Sequence, residues 1–194
     1  MSTDVGAPPD KRPAGRGTVV LLGFSVVGAL VAVSLGFYGT VHTPTGRPLA
    51  LIVGFTNLTP MKAWLATAAV LLVVFQVVSA LWMYGRLPVK RKPPAVLSQL
   101  HRWSGAVAFV ATLPVAYHCL WSLGFSTFDT RTALHSLFGC AFYGAFTTKM
   151  LALRANKMPS WALPISGGLL FALLIGAWAT AAVWYFTQSG VPLR

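Results

Sequence analysis

Acidic side chains are almost missing from this chain: Asp4, Asp10 and Asp129 are the only three in 194 residues, against 15 Lys and Arg. Charged residues of both signs make up only 9%, while hydrophobic residues make up 56%. A soluble domain carries roughly 25% charged residues, so this chain lacks the polar surface to stay in water. No acid lies inside a long apolar run, which argues against a proton pump or cation carrier built on buried carboxylates. Cysteine is scarce too. Cys119 and Cys140 both fall in apolar runs and read as small buried hydrophobes, with no disulfide framework or Cys-rich metal site. There is no phosphate loop, dinucleotide fingerprint or nucleophile elbow. The net charge of +12 does not mark a nucleic-acid binder, because the basic residues sit between apolar runs and form no patch on a soluble domain.

What the chain does have is five long apolar runs, at about 18–38, 61–84, 100–123, 130–151 and 161–186. Each is near the ~20 residues a helix needs to cross hydrocarbon. The expected fold is therefore all-α: an integral membrane bundle of five transmembrane helices, whose main partner is the lipid bilayer. The first run follows a basic stretch, as a signal peptide does. It is longer than a usual signal core and no small-residue cleavage site follows, so it reads as a retained span. Residues 1–17, rich in Gly, Pro and charge, read as a disordered tail, and 188–194 as a short tail at the other end. In the 39–60 loop the apolar stretch Leu49 to Phe55 is too short to span. Asp129 is placed to cap the fourth helix.

Basic residues set the orientation. With the N-terminus in the cytoplasm, eleven of them fall inside: Lys11, Arg12, Arg16, Arg86, Lys90, Arg91, Lys92, Arg102, Lys149, Arg154 and Lys157. Four fall outside: Arg47, Lys62, Arg131 and Arg194. All three inner segments agree with the positive-inside rule, and the C-terminus ends outside. Trp64, Trp82, Trp103, Trp121, Trp161 and Trp184 lie toward the span ends, as an interfacial belt requires. The expected location is the plasma (cell) membrane, multi-pass.

The candidate chemistry lies in the histidines, His42, His101, His118 and His135. An imidazole inside a bilayer is a functional-site hypothesis by default. Axial ligation of a b-type haem fits the spacing of two of them. His118 precedes the outer end of the third span by about six residues, and His135 follows Asp129 by six. At 1.5 Å per residue both lie ~9 Å below the outer boundary. The short connecting loop makes these helices expected antiparallel neighbours, able to clamp one iron. His101 and His135 also open the same pattern, H-x-x-x-G, ending in Gly105 and Gly139 at a 34-residue interval. A glycine four residues on lies under the same helix face and clears room for a flat macrocycle, or serves only close helix packing. His101 sits 17 residues before His118 and has no histidine partner at the inner ends, so it either takes a methionine (Met83, Met150, Met158) opposite it or meets the interface. The other reading of all these rings is hydrogen bonding to backbone or water. Pro114, mid-span, is expected to kink the third helix.

Over residues 60–187, the stretches LHRWSGAVAFVATLPVAYHCLWSLGF, ALHSLFGCAFYGAFTTKMLALR and MPSWALPISGGLLFALLIGAWATAAVWYF resemble an uncharacterised actinobacterial family of small five-helix membrane proteins. The H-x-x-x-G pattern and the histidines on consecutive helices also resemble the cytochrome b561 and ferric-reductase-like transmembrane haem proteins, in which four core helices pair histidines around two haems. His101, His118 and His135 match that arrangement, but the second and fifth spans carry no histidine, so the resemblance implies one haem b. The expected function is electron transfer through that haem between a quinol or outer redox protein and a respiratory-type chain. The alternative is a cofactor-free anchor or assembly subunit of a larger complex; a transporter fits less well, since no short half-helices or buried acids appear.

Overall fold

The computed structural model describes residues 15–46, 54–55, 57–155 and 158–191. Most of the expected N-terminal tail, residues 47–53 and 56 of the 39–60 loop, and the last three residues lie outside this range. The described residues contain no strand. They form five long helices: α1 (Gly15–Val41), α2 (Leu58–Met83), α3 (Val96–Leu123), α4 (Thr130–Arg154) and α5 (Ala162–Ser189).

The helices start where local chemistry allows. Asn57 caps α2, its side chain accepting the Thr59 N–H at 3.1 Å, and Pro60 sits in the first turn where its missing N–H costs nothing. That cap begins the helix three residues before the apolar run does. Asp129 caps α4 as expected, Oδ1 accepting the Thr132 N–H at 2.7 Å. α3 runs as helix through Pro114, and its irregularity falls later, in a π-turn at Cys119–Leu123. A second π-turn, Ala179–Val183, interrupts α5.

Four helices, α1, α2, α3 and α5, are long and apolar enough to cross a membrane. α4 is nearly as long, at 25 residues, but carries Thr, Ser, His, Tyr and Lys through its length. Packing accounts for this difference. α1 exposes a full apolar stripe, including Leu22, Val26, Leu30, Val33 and Phe37, whereas between Arg131 and Ala152 α4 exposes only Leu134 and Leu137. Side chains sheltered by neighbouring helices need not match lipid.

α1 packs on α4, α4 on α5, α5 on α2 and α2 on α3, and the last turn of α3 returns to α1. This closed order corrects the expectation that α3 and α4 lie side by side. Their loop is short, yet their backbones diverge and their contact is through side chains. The Tyr143 hydroxyl lies 2.9 Å from Thr112 Oγ1 and 3.1 Å from Thr112 O, and Phe109 stacks on Phe146 at 3.8 Å. α4 is drawn instead to α1, where Gly28 and Gly144 bring the two backbones together: a Cβ on either would overlap the other's carbonyl oxygen. Ala69 and Val70 of α2, Phe142 of α4, and Leu170 and Leu174 of α5 form the buried apolar centre.

Candidate ligand cavity

Because α3 and α4 meet only through side chains at mid-bundle, space remains between them at the end where α1 and α3 finish and α4 begins. This is the end that the positive-inside expectation puts outside; it is named the outer end below, and the opposite end the inner one. The space is a cavity of about 470 Å³ lined by all five helices. That volume is within the ~300–1,000 Å³ typical of small-molecule sites. Its apolar walls mix small and large side chains: Ala63 and Ala66 of α2, Val115, Ala116 and Leu120 of α3, Ala181 and Ala182 of α5, with Phe125, Phe128, Trp178 and Trp184 around them. The polar groups include Thr59 and Lys62 of α2, Cys119 of α3, Ser126 of the loop that follows, Arg131, Thr132, His135, Ser136, Cys140 and Tyr143 of α4, and Tyr185 of α5.

Both π-turns contribute to its lining, and the one in α5 explains how the polar groups are held. A π-turn displaces the regular carbonyl-to-amide ladder and is frequent at functional sites. Here carbonyls at and just before the turn accept from α4 side chains. Ala177 O lies 3.0 Å from His135 Nδ1, and Thr180 O accepts from Arg131 Nη1 at 2.7 Å. A carbonyl only accepts, so Nδ1 carries the proton and the neutral ring keeps Nε2 as a free acceptor. Arg131 also lies 3.8 Å from Asp129 and 4.0 Å from the Trp184 ring centre. The Thr132 backbone N–H, helped by the Thr132 hydroxyl and the Arg131 charge, holds the Asp129 carboxyl below its ordinary pKa. Lys62 faces the cavity with no hydrogen-bond or ion-pair partner among the described residues.

The residues singled out by the sequence divide among different places. His135 and Gly139 line the cavity, and a Cβ on Gly139 would meet nothing within 4 Å. His118 does not line it. The α3 wall is made by residues 115, 116, 119, 120 and 123, and at 100° per residue His118 points off that face. It is buried, with Nδ1 unpartnered. His101 lies at the inner end, Nδ1 2.7 Å from the Ser79 hydroxyl. The space over Gly105 is taken by Gln76, whose Oε1 would stand 3.1 Å from a Cβ there. The Gln76 amide donates to the His101 carbonyl and, at 2.7 Å, to Ser104 Oγ. Cys119 and Cys140 are free thiols that both line the cavity, Cys140 buried and Cys119 half-buried. Among the described residues no three His, Cys, Asp or Glu side chains stand together as a metal site. Sequence reasoning did not single out Lys62. Its signal is the spacing Thr59, Lys62, Ala63, Ala66, which places small and polar side chains on one helical face.

An all-helical bundle with four helices fit to cross a bilayer is the architecture of a multi-pass membrane protein. The chain belongs to the family of unknown function DUF6529, which matches residues 20–193 and so takes in nearly the whole bundle. No curated protein and no solved structure matches it. The likeness to cytochrome b561 therefore rests on the histidine motifs alone.

Proposed function

We propose that this protein crosses the plasma membrane five times, N-terminus inside, and holds one haem b in the outer-end cavity as a component of an electron-transfer chain. The observation that carries this reading is His135. Its Nδ1–H is tied to a backbone carbonyl, as haem- and metal-ligating histidines usually are, which leaves Nε2 for a ligand. It stands in an apolar cavity beside Gly139, whose missing Cβ leaves the neighbouring space clear. Lys62 and Arg131 line the same cavity and supply positive charge for two carboxylates. Haem bound there would supply one-electron transfer. The protein's own part is to orient His135 through Ala177, exclude water with the apolar walls, and counter negative charge with Lys62. The donor or acceptor at the outer end is a quinol or an outer redox protein. A haem at one end does not carry an electron across the bilayer, so a partner subunit or quinone completes the inner half.

The test is an optical spectrum of detergent-purified protein expressed with ample haem, oxidised and then dithionite-reduced. A Soret band that shifts on reduction, is lost in His135→Ala and is retained in His118→Ala supports the proposal. Absence of a Soret band in folded protein overturns it and leaves the cofactor-free anchor or assembly subunit.

A further inference from the structure

Lys149 stands in α4 five residues before the helix ends at Arg154, so about 7.5 Å inside the inner end. It is twenty residues from Asp129, the only acid in residues 15–194, which is ~30 Å along the helix. Local packing sets its direction. The Thr148 hydroxyl lies 3.2 Å from Phe24 O of α1. One residue on, about 100° round the helix, Lys149 faces α5 instead. Its Nζ lies 3.8 Å from where a Cβ on Gly167 would stand. Gly167 is five residues into α5, at the same depth as Lys149, so the ammonium has not risen to the inner surface. The helix works against such a rise. Side chains lean toward their helix's N-terminus, and α4 begins at the outer end. The side chain is half-buried and makes no hydrogen bond or ion pair among the described residues.

A lysine at membrane depth is costly and is normally paired. The other inner-end cations have no such need, since Arg86, Lys90, Arg91, Lys92 and Arg154 are exposed. The groove beside Lys149 opens to the bilayer. Leu153, one turn on along α4, is exposed, as are Pro164 and Gly168 on α5. A Cβ on Gly168 would meet nothing within 4 Å. We propose that the inner end of the α4/α5 groove binds one phospholipid of net negative charge, with its phosphate on Lys149. The medium that touches this groove is lipid, and the lipid headgroup is the anion at that depth. Net charge then chooses the lipid. A zwitterionic headgroup brings its own ammonium among the inner cations, whereas an anionic one is attracted by each of them. The site is separate from the outer cavity, which Lys149 does not line, and does not depend on the haem reading.

The test is native mass spectrometry of the purified full chain in detergent, titrated with phosphatidylglycerol or with phosphatidylethanolamine. The expected result is one tightly held phosphatidylglycerol per chain, bound more strongly than phosphatidylethanolamine and not displaced by inorganic phosphate. Lys149→Met keeps the apolar stem, removes the charge and should weaken that binding by about fivefold or more. Lys90→Met, in the exposed loop, should leave it nearly unchanged. Gly167→Leu keeps the charge but fills the recess where the ammonium sits, and should weaken binding as well. Circular dichroism and the thermal midpoint check that each variant folds, and if Lys149→Met does not, Gly167→Leu decides. No bound lipid, equal binding of the two lipids, displacement by inorganic phosphate, wild-type binding in Lys149→Met or Gly167→Leu, or an equal loss in Lys90→Met would each overturn the proposal.

Discussion

His101-x-x-x-Gly105 and His135-x-x-x-Gly139 are the same five-residue pattern placed at opposite ends of one bundle, and they have opposite surroundings. At the inner end Gln76 reaches from α2 over Gly105 and bonds the His101 carbonyl and Ser104, so the groove is filled. At the outer end nothing stands within 4 Å of a Cβ on Gly139, which lines an open cavity. The histidines differ accordingly. His101 is paired with a hydroxyl that both donates and accepts, while His135 is fixed by a carbonyl that only accepts. What makes a site of such a pattern is the residue that the neighbouring helix offers at the same depth. Gly28 and Gly144 show a third condition, in which the space beside the glycine is filled by another backbone.

These three conditions order the expected effects of the same small change. Gly144→Ala should do the most damage. The new methyl would overlap Gly28 O and stand 2.9 Å from Ala32 Cβ, with backbone on the other side unable to move aside. Overpacking of this kind costs about 1–3 kcal/mol. At about 2–4 °C per kcal/mol for a chain of this size, the thermal midpoint in detergent should fall by several degrees. An unchanged midpoint would mean that α1 and α4 do not meet at these glycines. Next comes the inner clamp. Gln76→Leu keeps the volume but removes the donors to His101 O and Ser104 Oγ, a loss of about 1–2 kcal/mol. A neutral result there would show the inner end to be held by apolar packing alone.

Much of the fold was legible in the sequence, because spans are long, apolar and punctuated by basic loops. The Asp129 cap was legible too, since capping is local chemistry. The pairing of His118 with His135 was not. Depth along a helix follows from counting residues, and both rings were placed at matched depth. The direction each ring faces depends on which helices pack together, and a short loop fixes only where two helix ends lie. The glycine contact between α1 and α4 and the side-chain contact of Tyr143 with Thr112 decide the rest. The π-turns leave no mark in the sequence, although the one in α5 aims His135 and Arg131. Lys62 was counted as an outer charge, and its position on the cavity wall emerged only with the ring of helices closed.

Gly139→Ala and Gly105→Ala compare the two patterns most directly. Alanine in place of glycine within a helix is worth about 1 kcal/mol from backbone entropy alone. At Gly139 nothing opposes that gain, so the midpoint of the ligand-free protein should rise slightly. At Gly105 the same gain meets the Gln76 amide, 3.1 Å from the new carbon and held by its hydrogen bonds, so the two effects should roughly cancel. Equal responses at the two sites would erase the distinction between a filled groove and an open one.

The smallest effect concerns pH and belongs to the outer frame. Asp129 is the only acid in residues 15–194, and its carboxylate caps α4 while lying 3.8 Å from Arg131. Its folded pKa lies below the ordinary value of 3.8, chiefly through the Thr132 N–H. A depressed folded pKa means that the unfolded chain takes up the proton first. The carboxylate's contribution is therefore complete above the ordinary value and is lost as pH falls through the folded one. Asp129→Asn keeps a capping oxygen but has no charge to lose. The wild type should melt slightly above Asp129→Asn at neutral pH, by a constant margin, and the margin should shrink as the pH is lowered below about 4. The comparison must be made between the two proteins at each pH, since their difference isolates Asp129 from every group they share. A margin that persists unchanged through the acid range would place the stabilisation in the cap's hydrogen bonds to the backbone and remove charge from the account of how the outer frame is held.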